Sequence, residues 1–196
     1  MLNIQQIVND IFTSNTYVVF DDEYDYCWLL DIGDFNKVAD ALPIGAKVKG
    51  VFLTHSHFDH IYGINALYRA FPQCEVYTSA YGREALYDDK KNFSLYHESS
   101  TIYNGKNVVE LKDGDTVELY PERHIAVYET PGHCPSCLTF VMGDYIFTGD
   151  SYIPDVKVVT KLPKGNRIQA KQSTEKILQL AQGKVICPGH GEMVSV

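Results

Sequence analysis

Six consecutive residues, His55-Ser56-His57-Phe58-Asp59-His60, place four metal-capable side chains next to one another. They follow the apolar run Val48 to Leu53, which reads as a buried strand. In extended chain alternate residues share a face, so His55 and His57 project together and two imidazoles can meet one cation. Asp59 and His60 come where the chain turns into a helix-like segment, and there they can point at a second cation nearby. Three further candidates each end an apolar run, in a loop containing glycine. His133 lies in Thr130-Pro131-Gly132-His133 after Ile125 to Glu129, and Asp150 lies in Thr148-Gly149-Asp150 after Tyr145 to Phe147. His190 lies in Pro188-Gly189-His190-Gly191 after Val185 to Cys187. Such loops lie at the surface, and glycine lets the backbone turn sharply beside a ligand. Five of the seven histidines and two aspartates thus form one constellation, expected to bind two metal ions. Neutral imidazole and carboxylate suit zinc, iron or manganese better than hard cations such as calcium, and zinc is the first expectation.

The elements that must position these residues alternate between strand and helix. Thr16 to Phe20 and Cys27 to Asp31 are predicted to form a hairpin across the acidic turn Asp21-Asp22-Glu23. Asp34 is placed to cap a helix from Phe35 to about Leu42, stopped by Pro43. Ile61 to Phe71 has helical apolar spacing before Pro72, Glu75 to Thr78 reads as a short strand, and a short helix begins at Ser79 or Ala80. Strand signals dominate from Val108 to Phe147, with turns at Asp113-Gly114-Asp115 and Gly143-Asp144. A late helix is expected from Ala170 to Gln182, ending at Gly183. No repeat, low-complexity tract or Gly/Ser linker divides the chain, so a single domain over 1–196 is expected. Strands flanked by helices imply an α/β protein built in layers.

Composition narrows the function classes. With 45% apolar and 21% charged residues the chain matches ordinary soluble globular proteins. A net charge of −8 weighs against a nucleic-acid partner, whose binders carry basic patches. The longest apolar stretches are strand-sized, short of the ~20 residues of a membrane span. The start, Met1-Leu2-Asn3-Ile4-Gln5-Gln6, lacks the basic and apolar regions of a signal peptide, so a cytoplasmic location is the expectation. Five cysteines, at 27, 74, 134, 137 and 187, do not suggest a disulfide framework. The expected partner is a small-molecule substrate, and self-assembly into a homo-oligomer stays open.

The order T-H-x-H-x-D-H (Thr54 to His60), then G-H, G-D and G-H-G, resembles the metallo-β-lactamase superfamily of metallohydrolases. Leu30-Asp31-Ile32-Gly33 is similar to the early Asp-Gly motif of that superfamily, and the motifs extend from Asp31 to Gly191. The resemblance implies a four-layered αβ/βα sandwich with the metals at one end of the sheet pair. It implies His55, His57 and His133 on one metal, Asp59, His60 and His190 on the other, and Asp150 bridging. Asp31 would orient the ligand loops from behind. The branch most resembled is glyoxalase II-like, because Asp150 stands where zinc β-lactamases typically use cysteine. Two ions ~3.5–4 Å apart can share a hydroxide, and zinc brings the pKa of bound water to about 7. That bridging hydroxide would attack a small ester, thioester or related electrophile, with no Ser or Cys nucleophile. Asp150 would hold the ion pair at its separation and Asp59 would also accept a proton, which makes these two the candidate catalytic residues.

Other features carry competing readings. Cys134-Pro135-Ser136-Cys137 is either a redox pair or buried packing, and packing is favoured. Tyr87, Phe93, Tyr96 and Tyr103 either wall a substrate site or pack elsewhere, while His97 and His124 read as surface or packing residues. Glyoxalase II carries an additional C-terminal helical region that helps bind glutathione. This chain ends six residues after His190, and Ser151-Tyr152-Ile153-Pro154 also departs from that pattern, which weighs against a glutathione thioester. Two alternatives to the hydrolase stand. One is a mononuclear iron oxygenase resembling persulfide dioxygenases, using His55, His133 and Asp150. The other is a metal-binding protein that acts through a partner without turnover.

Overall fold

Alternation along the first strands decides how the layers stack. The computed structural model describes residues 1–196. Strands β1 (Leu2–Val8), β2 (Asn15–Asp21) and β3 (Tyr26–Leu30) run antiparallel, and the β2–β3 hairpin forms as expected, with Tyr17 opposite Leu30. Helix α1 (Phe35–Ala41) follows, with the Asp34 carboxylate accepting from Asn36 N at 3.2 Å. Strand β4 (Lys47–Phe52) lies parallel to β3. After the short helices α2 (Phe58–Ile61) and α3 (Ile64–Ala70), β5 (Glu75–Ser79) lies parallel to β4. Helix α4 (Ala80–Leu86) then leads to β6 (Val108–Leu111), which closes a six-stranded sheet in the order β1 to β6.

The second sheet contains β7 (Thr116–Tyr120), β8 (Arg123–Glu129), β9 (Leu138–Met142) and β10 (Tyr145–Gly149). Helix α5 (Arg167–Leu180) connects β10 to the parallel strand β11 (Val185–Pro188), and β12 (Val194–Ser195) forms the edge. Its order is β12-β11-β10-β9-β8-β7.

Successive residues of β2, β3 and β4 serve different cores, as the period of two requires. Val18, Leu29 and Val51 pack with Val38, Ile61, Ile64 and Leu67 beneath the helices. Val19, Leu30 and Phe52 face Ile125, Phe140 and Phe147 of the other sheet. Burying each such side chain contributes about 1.5–3 kcal/mol. Phe52 stacks on Tyr77 with ring centroids 4.6 Å apart and meets Phe140 edge-on at 5.4 Å, while Trp28 Nε1 donates across the interface to Leu119 O at 3.2 Å. A third cluster, Ile146, Ile177, Ala181 and Ile186, packs α5 onto the outer face of the second sheet. The result is helices, sheet, sheet, helix, the four-layered sandwich expected from the motifs.

Three local expectations need correction. The single helix from Ile61 to Phe71 is two, because the chain breaks at Tyr62-Gly63 to press against the loop after β3. A Cβ on Gly63 would lie 2.1 Å from the Gly33 carbonyl oxygen, so only glycine permits that approach. Helix α5 begins at Arg167 rather than Ala170, since the Asn166 side chain accepts from Ile168 N and Gln169 N and so caps an earlier start. Strand β1 was not expected at all. Its weakly patterned LNIQQIV segment is made extended by pairing along all seven residues with the edge of β2. No helix is long and apolar enough to cross a membrane.

Candidate metal centre

All seven sequence-derived ligands converge at one end of the sheet pair. Four come from loops just beyond a strand: His55 after β4, His133 after β8, Asp150 after β10 and His190 after β11. His57, Asp59 and His60 follow in the turn into α2 and in α2 itself. In the first group, His57 Nδ1 and His133 Nε2 face each other at 2.9 Å, and the ligand atoms of His55, His57 and His133 lie within 4.8 Å of one another. The second group brings His60 Nε2 to 3.4 Å from both Asp59 Oδ2 and His190 Nε2. Asp150 stands between the groups. Its Oδ1 lies 3.5 Å from the Nε2 atoms of His60 and His190, and its Oδ2 lies 3.5 Å from His133 Nε2. A Cβ on Gly189 would meet Asp150 Oδ1 at 2.3 Å, so the glycine before His190 makes room for this carboxylate.

Groups behind the ligands fix which ring nitrogen faces inward. A carboxylate only accepts, so His60 Nδ1–H donates to Asp31 Oδ2 at 2.8 Å and Nε2 turns to the site. The Thr54 hydroxyl also donates to Asp31 Oδ2, at 2.6 Å, and can therefore accept from His55 Nδ1 at 3.1 Å. Thr54 N fills the other Asp31 oxygen at 2.7 Å. Asp31 thus positions one imidazole of each group, directly for His60 and through Thr54 for His55. Its backbone is left-handed, at φ 57°, a region that Asp tolerates better than most residues. His133 Nδ1–H donates to Val159 O at 2.8 Å, and His190 Nδ1–H to Phe12 O at 3.0 Å.

These residues fit a pair of divalent cations. His55 Nε2 and Asp150 Oδ1 are buried with no hydrogen-bond partner, an arrangement that costs free energy unless something charged satisfies them. Ring nitrogens of different histidines also face shared space, His57 Nδ1 and His133 Nε2 at 2.9 Å and His60 Nε2 and His190 Nε2 at 3.4 Å, the arrangement of imidazoles that give their lone pairs to one cation. Asp31 is not among these ligands, because protein donors occupy both its oxygens.

Electrostatics divides the histidines. Burial, reinforced by the neighbouring imidazoles, holds His55 well below the usual imidazole value; burial also lowers His133, against the pull of Asp150. Both are therefore neutral imidazoles at pH 7. Burial would lower His60 too, but the Asp59 and Asp31 carboxylates outweigh it and raise it to about 9. His190 likewise rises to about 10, since the Asp150 and Asp59 carboxylates beside it overcome burial. Burial opposes ionisation of Asp150, yet the close His190 ring and the surrounding imidazoles hold its carboxyl well below the usual range.

Above the ligands opens a cavity of about 560 Å³. His57, Asp59, His133, Asp150 and His190 form its floor. Its walls are the aromatic group Phe12, Phe58, Phe93, Tyr96 and His97 together with Val159, Leu162 and Pro163, with no Lys or Arg. The aromatic segment therefore splits: Phe93 and Tyr96 reach the cavity, while Tyr103 is buried in the core beside Tyr87. His97 is a packing residue, stacked on Phe58 at 4.3 Å, and it also lines the cavity; His124 is exposed. The wall residues Phe12, Val159, Leu162 and Pro163 carried no sequence signal, because nothing in their spacing marks them as neighbours of the ligands. A separate cavity of about 340 Å³, bounded by Lys157, Arg167 and Lys171, borders none of the seven ligands.

Comparison with known proteins agrees with this geometry. Residues 10–190 match the Metallo-beta-lactamase superfamily. The chain is 29% identical over 184 residues to the hydroxyacylglutathione hydrolase of Enterobacter sp. (strain 638), covering 91% of this chain and 62% of that protein. It thus spans less than two thirds of that relative's length. Among solved structures, the BLEG-1 B3 metallo-beta-lactamase is similar with a TM-score of 0.87 at 25% identity, over 98% of this chain and 93% of that one. The di-iron-bound form of TTHA1623 gives a TM-score of 0.80 at 23% identity, over 97% and 94% of the two chains, a likeness of fold.

Proposed function

Since this chain belongs to the metallo-β-lactamase superfamily, we propose that it is a dinuclear metal-dependent hydrolase of small esters, thioesters or related electrophiles. The observation that carries this reading is Asp150, with one oxygen toward His133 and the other toward His60 and His190. His55, His57 and His133 would hold one divalent ion, Asp59, His60 and His190 the other, and Asp150 would take one oxygen to each. Zinc suits this donor set first, and iron or manganese are accommodated by the same ligands. When bound, two such ions supply Lewis acidity and make water a competent nucleophile near neutral pH.

The protein's own side chains do the rest. Asp31 and Thr54 lock the ring orientations, so the donors are arranged before substrate arrives. Asp59, partly exposed to the cavity, can receive a proton from the attacking water and pass it outward. The apolar walls would bind the non-reacting part of the substrate and exclude water from the reacting carbonyl. With no Lys or Arg in those walls, a substrate bearing several free carboxylates finds no fixed cation there. This favours an uncharged acyl group over a glutathione thioester.

The test has two parts. Metal would be quantified in protein purified without supplementation, and hydrolysis screened on aryl and alkyl esters, thioesters and lactones. About two metal ions per chain and ester or thioester turnover are expected. In the Asp150→Ala variant hydrolysis should be lost while the circular dichroism spectrum is kept. Normal turnover by that variant would defeat the bridged mechanism, and one iron per chain with oxygen uptake on persulfides would replace it with the oxygenase.

A further inference from the structure

The sequence motif Cys134-Pro135-Ser136-Cys137 has no part in the hydrolytic reading, and its geometry differs from ordinary packing. Pro135 and Ser136 form the corner of a turn, and the two Sγ atoms lie 3.2 Å apart, both buried. A turn brings its end Cα atoms within ~7 Å, close to the 4.4–6.8 Å span that a disulfide accepts. Contraction to the ~2.0 Å of an S–S bond then asks for side-chain rotation rather than refolding. The other three thiols have no such partner: Cys74 Sγ contacts Glu75 O and Cys187 Sγ contacts Val185 O. A cavity of about 180 Å³, lined by Tyr81, Glu129, Pro131 and Pro135 among others and by none of the seven candidate ligands, reaches Cys137.

This dithiol is wired to both ligand segments of the first group. Cys134 directly follows His133. Its Sγ lies 3.1 Å from Ser136 Oγ, which accepts from Ser56 N at 3.1 Å and pairs with Ser56 Oγ at 3.0 Å. Ser56 sits between His55 and His57. Rotating Cys134 toward Cys137 withdraws its Sγ from Ser136 Oγ and so disturbs the Ser136–Ser56 contact that joins the two ligand segments.

We propose that Cys134 and Cys137 are a reversible thiol–disulfide couple, oxidised by a peroxide, whose closure loosens the metal held by His55, His57 and His133. In the oxidation one thiolate sulfur attacks a peroxide oxygen, the O–O bond breaks, and a sulfenic acid forms as the first water leaves. The second thiol attacks that sulfur and expels the second water, so the two thiols give two electrons and two protons to one peroxide. An external dithiol reverses the step by exchange. The metal half of this proposal rests on the dinuclear reading above, whereas the disulfide half does not.

Reduced protein with its metal content already measured would be treated with hydrogen peroxide, then unfolded, alkylated and mapped by mass spectrometry. The expected result is a loss of about 2 Da, a linked Cys134–Cys137 peptide, full alkylation of the other three cysteines, and recovery with dithiothreitol. Metal transfer to a chromogenic chelator should be about tenfold faster from the oxidised protein. Cys137→Ser should keep its metal and lose the response to peroxide. If that variant does not fold, Cys134→Ser and the comparison of oxidised with reduced wild type decide the matter. Full alkylation of both cysteines after peroxide, or unchanged metal transfer after complete disulfide formation, overturns the proposal. A reduced protein that holds no metal would instead count against the dinuclear reading, and the mapping result would still stand by itself.

Discussion

Asp31→Asn isolates the group that sits behind both halves of the centre. The substitution is nearly isosteric, and Asn tolerates the left-handed backbone at φ 57° as Asp does, so backbone strain is held constant. An Asn oxygen can keep the 2.7 Å bond from Thr54 N, but its amide nitrogen then faces two donors, His60 Nδ1–H and the Thr54 hydroxyl. Flipping the amide only moves the conflict to Thr54 N. At His60 the loss is one hydrogen bond to a charged acceptor, about 1.5–3 kcal/mol, and a misplaced ring. In affinity that is about ten- to a hundredfold, the range usual for groups that support metal ligands. His55 is affected only through Thr54, whose hydroxyl can reorient, so the first group should lose less. Stepwise chelator competition would read the two sites separately, with a thermal melt as control for folding. The metal held by His60 should weaken by the stated factor and the other by less than half of it on a logarithmic scale. Equal weakening of both sites, or none, would refute the assignment of Asp31 as a positioning residue.

Three other outcomes follow from the same structure. Because His60 and His190 are raised to about 9 and about 10, both carry protons at pH 7 that a metal must displace. Affinity should therefore rise with pH, by up to about tenfold per unit for each proton released, between about pH 6.5 and 8.5; calorimetry in buffers of different ionisation enthalpy that found no proton release would contradict this. Gly63→Ala puts a Cβ against the backbone oxygen of Gly33 and should destabilise by about 1–3 kcal/mol, lowering the melting temperature by about 2–4 °C per kcal/mol. An unchanged melt would mean that the α2–α3 break is not fixed by this contact. Phe93→Asn keeps the left-handed backbone at φ 65° but removes a ring packed 4.9 Å from His57. It should lower kcat/KM by about five- to thirtyfold for substrates with bulky apolar acyl groups and much less for acetyl esters, so an equal loss on both would argue against a substrate wall.

The seven candidate ligands stood out in sequence because their chemistry leaves a local mark. His55, His57, Asp59 and His60 fall within one six-residue run, and His133, Asp150 and His190 each stand beside a glycine at the end of an apolar run. The runs Thr16 to Phe20, Cys27 to Asp31 and Val48 to Leu53 were likewise legible as strands, whereas the sharing of their alternate residues between two cores was not. The helix break at Gly63, the early start of α5 and the recruitment of β1 were not legible, since each depends on a partner distant in the chain. The Gly33 carbonyl, the Asn166 cap and the free edge of β2 are those partners.

Sequence alone therefore marked out the candidate metal-binding residues and showed that the chain alternates strand with helix, because side-chain chemistry and local periodicity are properties of neighbours. Only the tertiary structure decided the rest. It turned the two Asp150 oxygens toward different histidine groups, joined His55 to Asp31 through Thr54, and built the cavity wall from Phe12, Phe93 and Leu162. It also brought two thiols to 3.2 Å beside that centre. Those relations arise from stacking two sheets so that loops far apart in sequence meet at one end, and no local pattern encodes a distance across that interface.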